Sequence, residues 1–135
     1  MWVKVIGIED VSGRQVRVAS DLGELLVTWL DAGYYPLPSS GEEMDVELTL
    51  GLDEADWDRD VTMLSSDTAP AIQQAAQQFL LTGWAEWSRE DGVLWLSLAT
   101  DCLMSVVLDS ELGETRTIGM VRLRARTLYL YPTGA

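Results

Sequence analysis

Residues 44–50, with the sequence MDVELTL, alternate strictly between apolar and polar side chains. Met44, Val46, Leu48 and Leu50 are apolar, and the residues between them are acidic or hydroxylated. This period of two predicts a β-strand with one face buried and the other exposed to water. Because the same alternation recurs along most of the chain, the sequence predicts a mainly antiparallel β-structure.

A second stretch of the same type lies at residues 121–127, with the sequence VRLRART. The hairpins and turns before the two stretches also follow one another in the same order, which suggests a weak internal duplication. The sequence therefore predicts one or two small barrel-like meanders within a single domain, residues 1–135, with pseudo-repeats at 1–52 and 83–131. Chance similarity between two alternating meanders is the alternative interpretation.

One segment departs from the period of two. Between Ile72 and Leu80, apolar residues recur at i, i+3, i+4, i+7 and i+8, and four glutamines occupy other positions. This spacing predicts an amphipathic helix over about 69–81. Pro70 suits the first turn of such a helix, and Gly83 suits the left-handed residue that often ends one. The predicted fold class is α+β, with this single helix packed on the strands.

The composition excludes several kinds of chemistry. The chain has no histidine and a single cysteine, Cys102, so a Ser-His-Asp triad, a Cys-His pair and an ordinary zinc site are excluded. No glycine-rich nucleotide motif is present, and no spacing of carboxylates selects a catalytic pair, so we expect no enzyme activity. The single cysteine, and the lack of any long apolar run, predict a cytoplasmic protein without a membrane segment.

Acidic residues dominate the charge. The net charge is −13, and residues 42–60 hold nine Asp or Glu against Arg59 alone. Such a field attracts basic surfaces and repels nucleic acid. We therefore expect a non-catalytic acidic protein-binding module on a basic protein partner, either an inhibitor or immunity-type protein or a nucleic-acid mimic, with nearby aromatic residues as anchors. The expected partner-binding residues are Glu42, Glu43, Asp53, Asp56, Trp57, Asp58, Asp60, Tyr34 and Tyr35.

Within this acidic run, four residues have the spacing of calcium ligands. Asp56, Asp58, Asp60 and Asp67 correspond to positions 1, 3, 5 and 12 of an EF-hand loop. Val61 occupies the position at which that loop needs glycine, so a solvated acidic loop is the alternative interpretation. Calcium is the one cofactor that the sequence suggests.

Arginines form the second charged pattern. Arg122, Arg124 and Arg126 alternate on one face of a predicted strand. A forked guanidinium suits a carboxylate or phosphate ligand, and cross-strand ion pairs with Asp45 and Glu47 are the alternative. These two patterns make a small-ligand or calcium-binding barrel one alternative to protein docking. A structural subunit of a larger assembly is another.

Overall fold

The computed structural model describes residues 1–30, 36–50, 54–75, 78–99 and 101–133. Within these ranges the chain forms eleven strands and one short helix, which confirms the α+β class with a predominance of antiparallel strands and a barrel. None of the helical residues described there forms a helix long and apolar enough to span a membrane. The elements are β1 (Trp2–Asp10), β2 (Gln15–Ser20), β3 (Gly23–Trp29), β4 (Glu43–Leu50), α1 (Trp57–Asp60), β5 (Val61–Met63), β6 (Ala71–Ala75), β7 (Gln78–Ser88), β8 (Val93–Ala99), β9 (Cys102–Val107), β10 (Arg116–Ala125) and β11 (Leu128–Pro132).

Five strands form a closed barrel in the order β1-β2-β3-β11-β4. Neighbouring strands are antiparallel, except that β3 and β11 run parallel. Alternate residues point inward, and Val3, Val16, Leu25, Leu48 and Leu130 are nearly completely buried. These side chains fill the barrel interior, as the period of two requires.

The other strands form a second sheet in the order β5-β10-β7-β8-β9, and β6 pairs with the first part of β7. The inner face of this sheet is apolar and includes the buried residues Leu81, Leu96, Met104 and Leu123. These residues belong to the same buried cluster as the barrel interior. The two sheets therefore share one hydrophobic core.

The chain crosses twice between the barrel and the second sheet. β11 follows β10 in sequence, but it completes the barrel between β3 and β4. Conversely, the segment 55–63 follows β4 but joins the second sheet, where Ala55 forms a parallel bridge with Leu108 and β5 pairs antiparallel with β10. The barrel thus includes β11 from the end of the chain, and the second sheet includes the segment 55–63 from the first part of the chain. Each of these two segments is parallel to one neighbour and antiparallel to the other. The duplication of residues 1–52 and 83–131 stays a prediction.

The helix predicted over 69–81 is wrong. These residues belong to β6 and to the start of β7, which pair with each other antiparallel. Ile72 and Leu81 are Cα partners in this pair, and both are buried. The helix-like spacing therefore arises from two successive strands that each turn an apolar side chain to the core. The long pairing of β7 with β10 outweighs the local helical preference.

Gln74, predicted on the polar face of that helix, instead covers the edge of β3. Its Oε1 accepts the Leu26 backbone N–H at 2.8 Å, and its Nε2 donates to the Leu26 carbonyl at 3.2 Å. Nearby, the Ile72 N–H donates to the Leu22 carbonyl at 3.1 Å. β6 therefore fastens the second sheet to the barrel and satisfies backbone groups that a free strand edge would expose.

Candidate functional site

The acidic run between residues 42 and 60 is divided by β4 into two groups. Glu43 lies at the start of β4, opposite Lys4 of β1, whereas Glu54 lies beyond its far end. Eight residues at the usual rise of a strand span about 25 Å. The acids therefore do not form one continuous surface, because the strand carries its two ends to different parts of the molecule.

The carboxylates of the first group are mostly held by the protein itself. Asp45 Oδ1 accepts the N-terminal amine at 2.9 Å, and this hydrogen bond is the main reason that the pKa of Asp45 is lowered. Glu47 accepts the Tyr131 hydroxyl at 2.6 Å, and Glu42 accepts the Ser39 N–H at 3.0 Å. Asp45 and Glu47 are therefore not the partners of the arginine row, and β4 is not a neighbour of β10.

The second group surrounds α1. Asp56 is the N-cap of this helix, and its Oδ1 accepts the Arg59 N–H at 2.8 Å. This hydrogen bond is the main reason that the pKa of Asp56 is lowered. Trp57 is half-buried and packs on the core, so only part of its ring is open to a partner. Asp58 is exposed and forms no ion pair with any described residue.

Asp60 is the most enclosed of these carboxylates, with 12% of its side chain exposed. Arg59 Nη2 lies 3.2 Å from Asp60 Oδ2, and Arg124 Nη2 lies 3.5 Å from Asp60 Oδ1. Asp60 Oδ2 also accepts the Asp56 N–H at 2.8 Å. Burial acts to raise the pKa of Asp60, but these hydrogen bonds and the nearby arginines outweigh it and lower the pKa. Asp60 is thus a neutralised structural acid rather than a free partner-binding one.

The calcium-loop spacing is not matched by a ligand geometry. Asp56 caps α1, Asp60 binds two arginines, and Asp67 accepts the Ser65 hydroxyl beyond β5. Across the ranges that the structure describes, no three Cys, Asp or Glu residues come close enough to hold a metal ion. Residues 57–60 form α1 and residues 61–63 form β5. The backbone after Asp56 is therefore helix and strand, and not the loop that encloses a calcium ion.

Asp109 joins the second group, although nothing in the sequence marks it. Its N–H donates to the Ala55 carbonyl at 2.9 Å, which places it beside Asp56. Desolvation raises the pKa of Asp109, and the hydrogen bond with Asp56 and the repulsion from Asp56 and Glu54 raise it further. Glu54, Asp58 and Asp109 therefore form an exposed group, the α1 acidic patch, in which negative charge is incompletely compensated.

The arginine row is only partly brought together. Arg124 and Arg126 line a cleft of about 500 Å³ beside α1, together with Arg59, Asp60 and Gln78. The cleft is also lined by Leu50 at the end of β4 and by Thr127 between β10 and β11. Arg122 is not part of its lining, and its buried Nε has no hydrogen-bond partner in the described part of the chain.

Three of the predicted partner-binding residues, Tyr34, Tyr35 and Asp53, lie outside the described residues. Comparisons with protein families, with curated proteins and with solved structures found no match to this chain.

Proposed function

We propose that this protein is a non-catalytic protein-binding module that docks on a basic partner, as an inhibitor or immunity-type protein does. The observation that carries this proposal is the α1 acidic patch. Its members, Glu54, Asp58 and Asp109, are exposed and have no ion-pair partner among the described residues. They belong to a chain with a net charge of −13.

The negative charge of this patch predicts a positively charged partner. Desolvation is the main reason that the pKa of Asp109 is raised, and the hydrogen bond with Asp56 and the repulsion from Asp56 and Glu54 raise it further. The repulsion between these like charges costs free energy. A cationic surface placed over the patch would relieve the repulsion. Complementary charge also raises association rates by roughly 10- to 1,000-fold at low salt.

An apolar anchor lies within the same helix. Trp57 follows the N-cap Asp56 directly, and its half-buried ring rests on the core. A tryptophan held in place by such packing loses little conformational freedom when a partner covers its remaining surface. The proposed interface therefore combines charged steering residues with one preordered aromatic side chain.

A cytoplasmic location is part of the same proposal. The one cysteine, Cys102, is buried and free of disulfide bonds, which suits a reducing compartment. The proposed partner is a basic protein, and a nucleic-acid-binding protein is the form of it that an acidic mimic would occupy.

The test compares two variants that remove three negative charges each. The patch variant carries Glu54→Gln, Asp58→Asn and Asp109→Asn. The control variant carries Asp21→Asn, Glu90→Gln and Glu111→Gln, at residues that are exposed and unpaired among the described residues. Proteins retained from cells of the source by the immobilised parent chain are identified, and their association rates are measured at about 50 mM and 300 mM salt.

We expect a basic protein whose association slows steeply with salt for the parent chain and for the control variant. The patch variant should associate at least about tenfold more slowly at low salt. Equal rates for the two variants would refute the assignment of the patch. Retention of no basic protein by the parent chain would refute the proposed function itself.

A further inference from the structure

The cleft beside α1 differs in charge from the rest of the molecule. Its lining includes the guanidinium groups of Arg59, Arg124 and Arg126, against the carboxylates of Glu54 and Asp60. The cleft is therefore locally cationic within a chain of net charge −13. Because the wider field repels anions, a cation-lined recess in such a protein requires a specific arrangement of side chains.

That arrangement is fixed by hydrogen bonds. Arg124 Nη2 donates to the Arg59 carbonyl at 3.2 Å and lies 3.5 Å from Asp60 Oδ1. Asp60 is itself held by the Asp56 N–H at 2.8 Å. Arg124 is thus oriented before any ligand arrives, and its contacts with described residues use only one of its three nitrogens.

Arg126 has neither an ion pair nor a hydrogen bond with any residue that the structure describes. It stands two residues after Arg124, past the end of β10, and lines the same cleft. A planar guanidinium donates two parallel hydrogen bonds to a carboxylate or a phosphate, which gives both charge and geometry. Two such forks line a recess whose volume of about 500 Å³ suits a small molecule. Arg124 is preordered, and Arg126 has no partner in the ranges that the structure describes.

We propose that this cleft binds the oxyanion group, phosphate or carboxylate, of a small molecule, with Arg126 and Arg124 as its ligands. Gln78 lies at the start of β7 on the same lining and adds an uncharged hydrogen-bonding group for the remainder of the molecule. The cleft shares Glu54 with the α1 acidic patch, but the other two members of that patch, Asp58 and Asp109, do not line it.

The test is a titration of the full chain with inorganic phosphate, and separately with citrate, by calorimetry at constant ionic strength set with sodium chloride. The variant is Arg126→Gln, which removes the arginine that has no ion pair with a described residue. The matched control is Arg89→Gln, which removes an exposed arginine of the β7–β8 turn that pairs with Glu114. Melting temperatures without ligand verify that both variants are folded.

We expect saturable binding of at least one anion, weakened about tenfold or more by Arg126→Gln and unchanged by Arg89→Gln. Binding of phosphate alone identifies a phosphate ligand, and binding of citrate alone identifies a carboxylate. No saturable binding of either anion, or equal weakening by both variants, would overturn the proposal. Because Arg126→Gln leaves the acidic patch intact, its capture of a basic protein should not change, which separates this test from that of the proposed function.

Discussion

Replacing Gly83 by alanine is expected to destabilise the protein severely, because the backbone of β8 occupies the space of the new methyl group. A Cβ atom at this position would lie 2.4 Å from the Ser97 carbonyl oxygen and 3.1 Å from Leu98 Cδ2. Ordinary contact begins at about 3.4 Å, so β8 would have to move by about 1 Å. β8 is paired on both sides, with β7 and β9, and Leu98 is completely buried.

Overpacking of this kind costs about 1–3 kcal/mol and occasionally more. We expect about 3 kcal/mol here, since backbone and not a flexible side chain must yield. For a chain of 135 residues, that loss lowers the melting temperature by about 10 °C. Urea unfolding should show a lower midpoint with an unchanged m-value.

Gly7→Ala is the matched control, because Gly7 also lies within a strand but has no heavy atom within 4 Å of the added Cβ. Alanine restricts the unfolded chain more than glycine does, so this variant should be about 0.5 kcal/mol more stable than the parent. A melting temperature of Gly83→Ala within about 1 °C of that of the parent would refute the close approach of β7 and β8 at Gly83.

Four further outcomes follow from the structure. Gln74→Ala should cost about 1 kcal/mol in urea unfolding, because it removes two hydrogen bonds that cover the edge of β3; unchanged stability contradicts that role. Desolvation and neighbouring carboxylates raise the pKa of Asp109 in the folded protein, so its ionised form opposes folding above that pKa; Asp109→Asn should raise the melting temperature at pH 7, with the gain fading as the pH falls through the titration of the carboxyl group, and a lower melting temperature at pH 7 would contradict this. Burial raises the pKa of Cys102 to about 11, so an aromatic disulfide reagent at pH 8 should react only as fast as the chain unfolds, and rapid reaction of the native protein would contradict this. Separate fragments 1–68 and 69–135 should be largely unfolded by circular dichroism yet regain strand structure when mixed, because each holds a segment that completes the other half; a fragment that folds alone would show that the exchange is dispensable.

Parts of the fold follow from local sequence. The alternation in residues 44–50 predicts the half-buried strand that is observed as β4. Asp91-Gly92 is a dipeptide typical of tight hairpin turns, and it lies in the observed hairpin between β7 and β8. In both cases the information is local, since a period of two and a glycine of positive φ (Gly92, +66°) act within a few residues.

The sequence pattern gave a wrong prediction where the same spacing of apolar residues fits both a helix and a pair of short strands. The apolar positions between Ile72 and Leu80 fit a helix, but the same positions also fit two short strands, and pairing with β10 selects the strands. Asp60 illustrates the same limit within the site. Its sequence neighbours mark it as one acid of a run, whereas its contact with Arg124, 64 residues away, makes it a neutralised group.

The sequence by itself determined the strand-rich class, the excess of negative charge and the exclusion of histidine chemistry, because composition and short periods are properties of the chain alone. Only the tertiary structure decided that each half is completed by the other, that Asp109 joins the acids around α1, and that Arg124 and Arg126 share a cleft. These features depend on contacts between segments far apart in the chain, and the free energy of such contacts comes from the whole core rather than from any one stretch of residues.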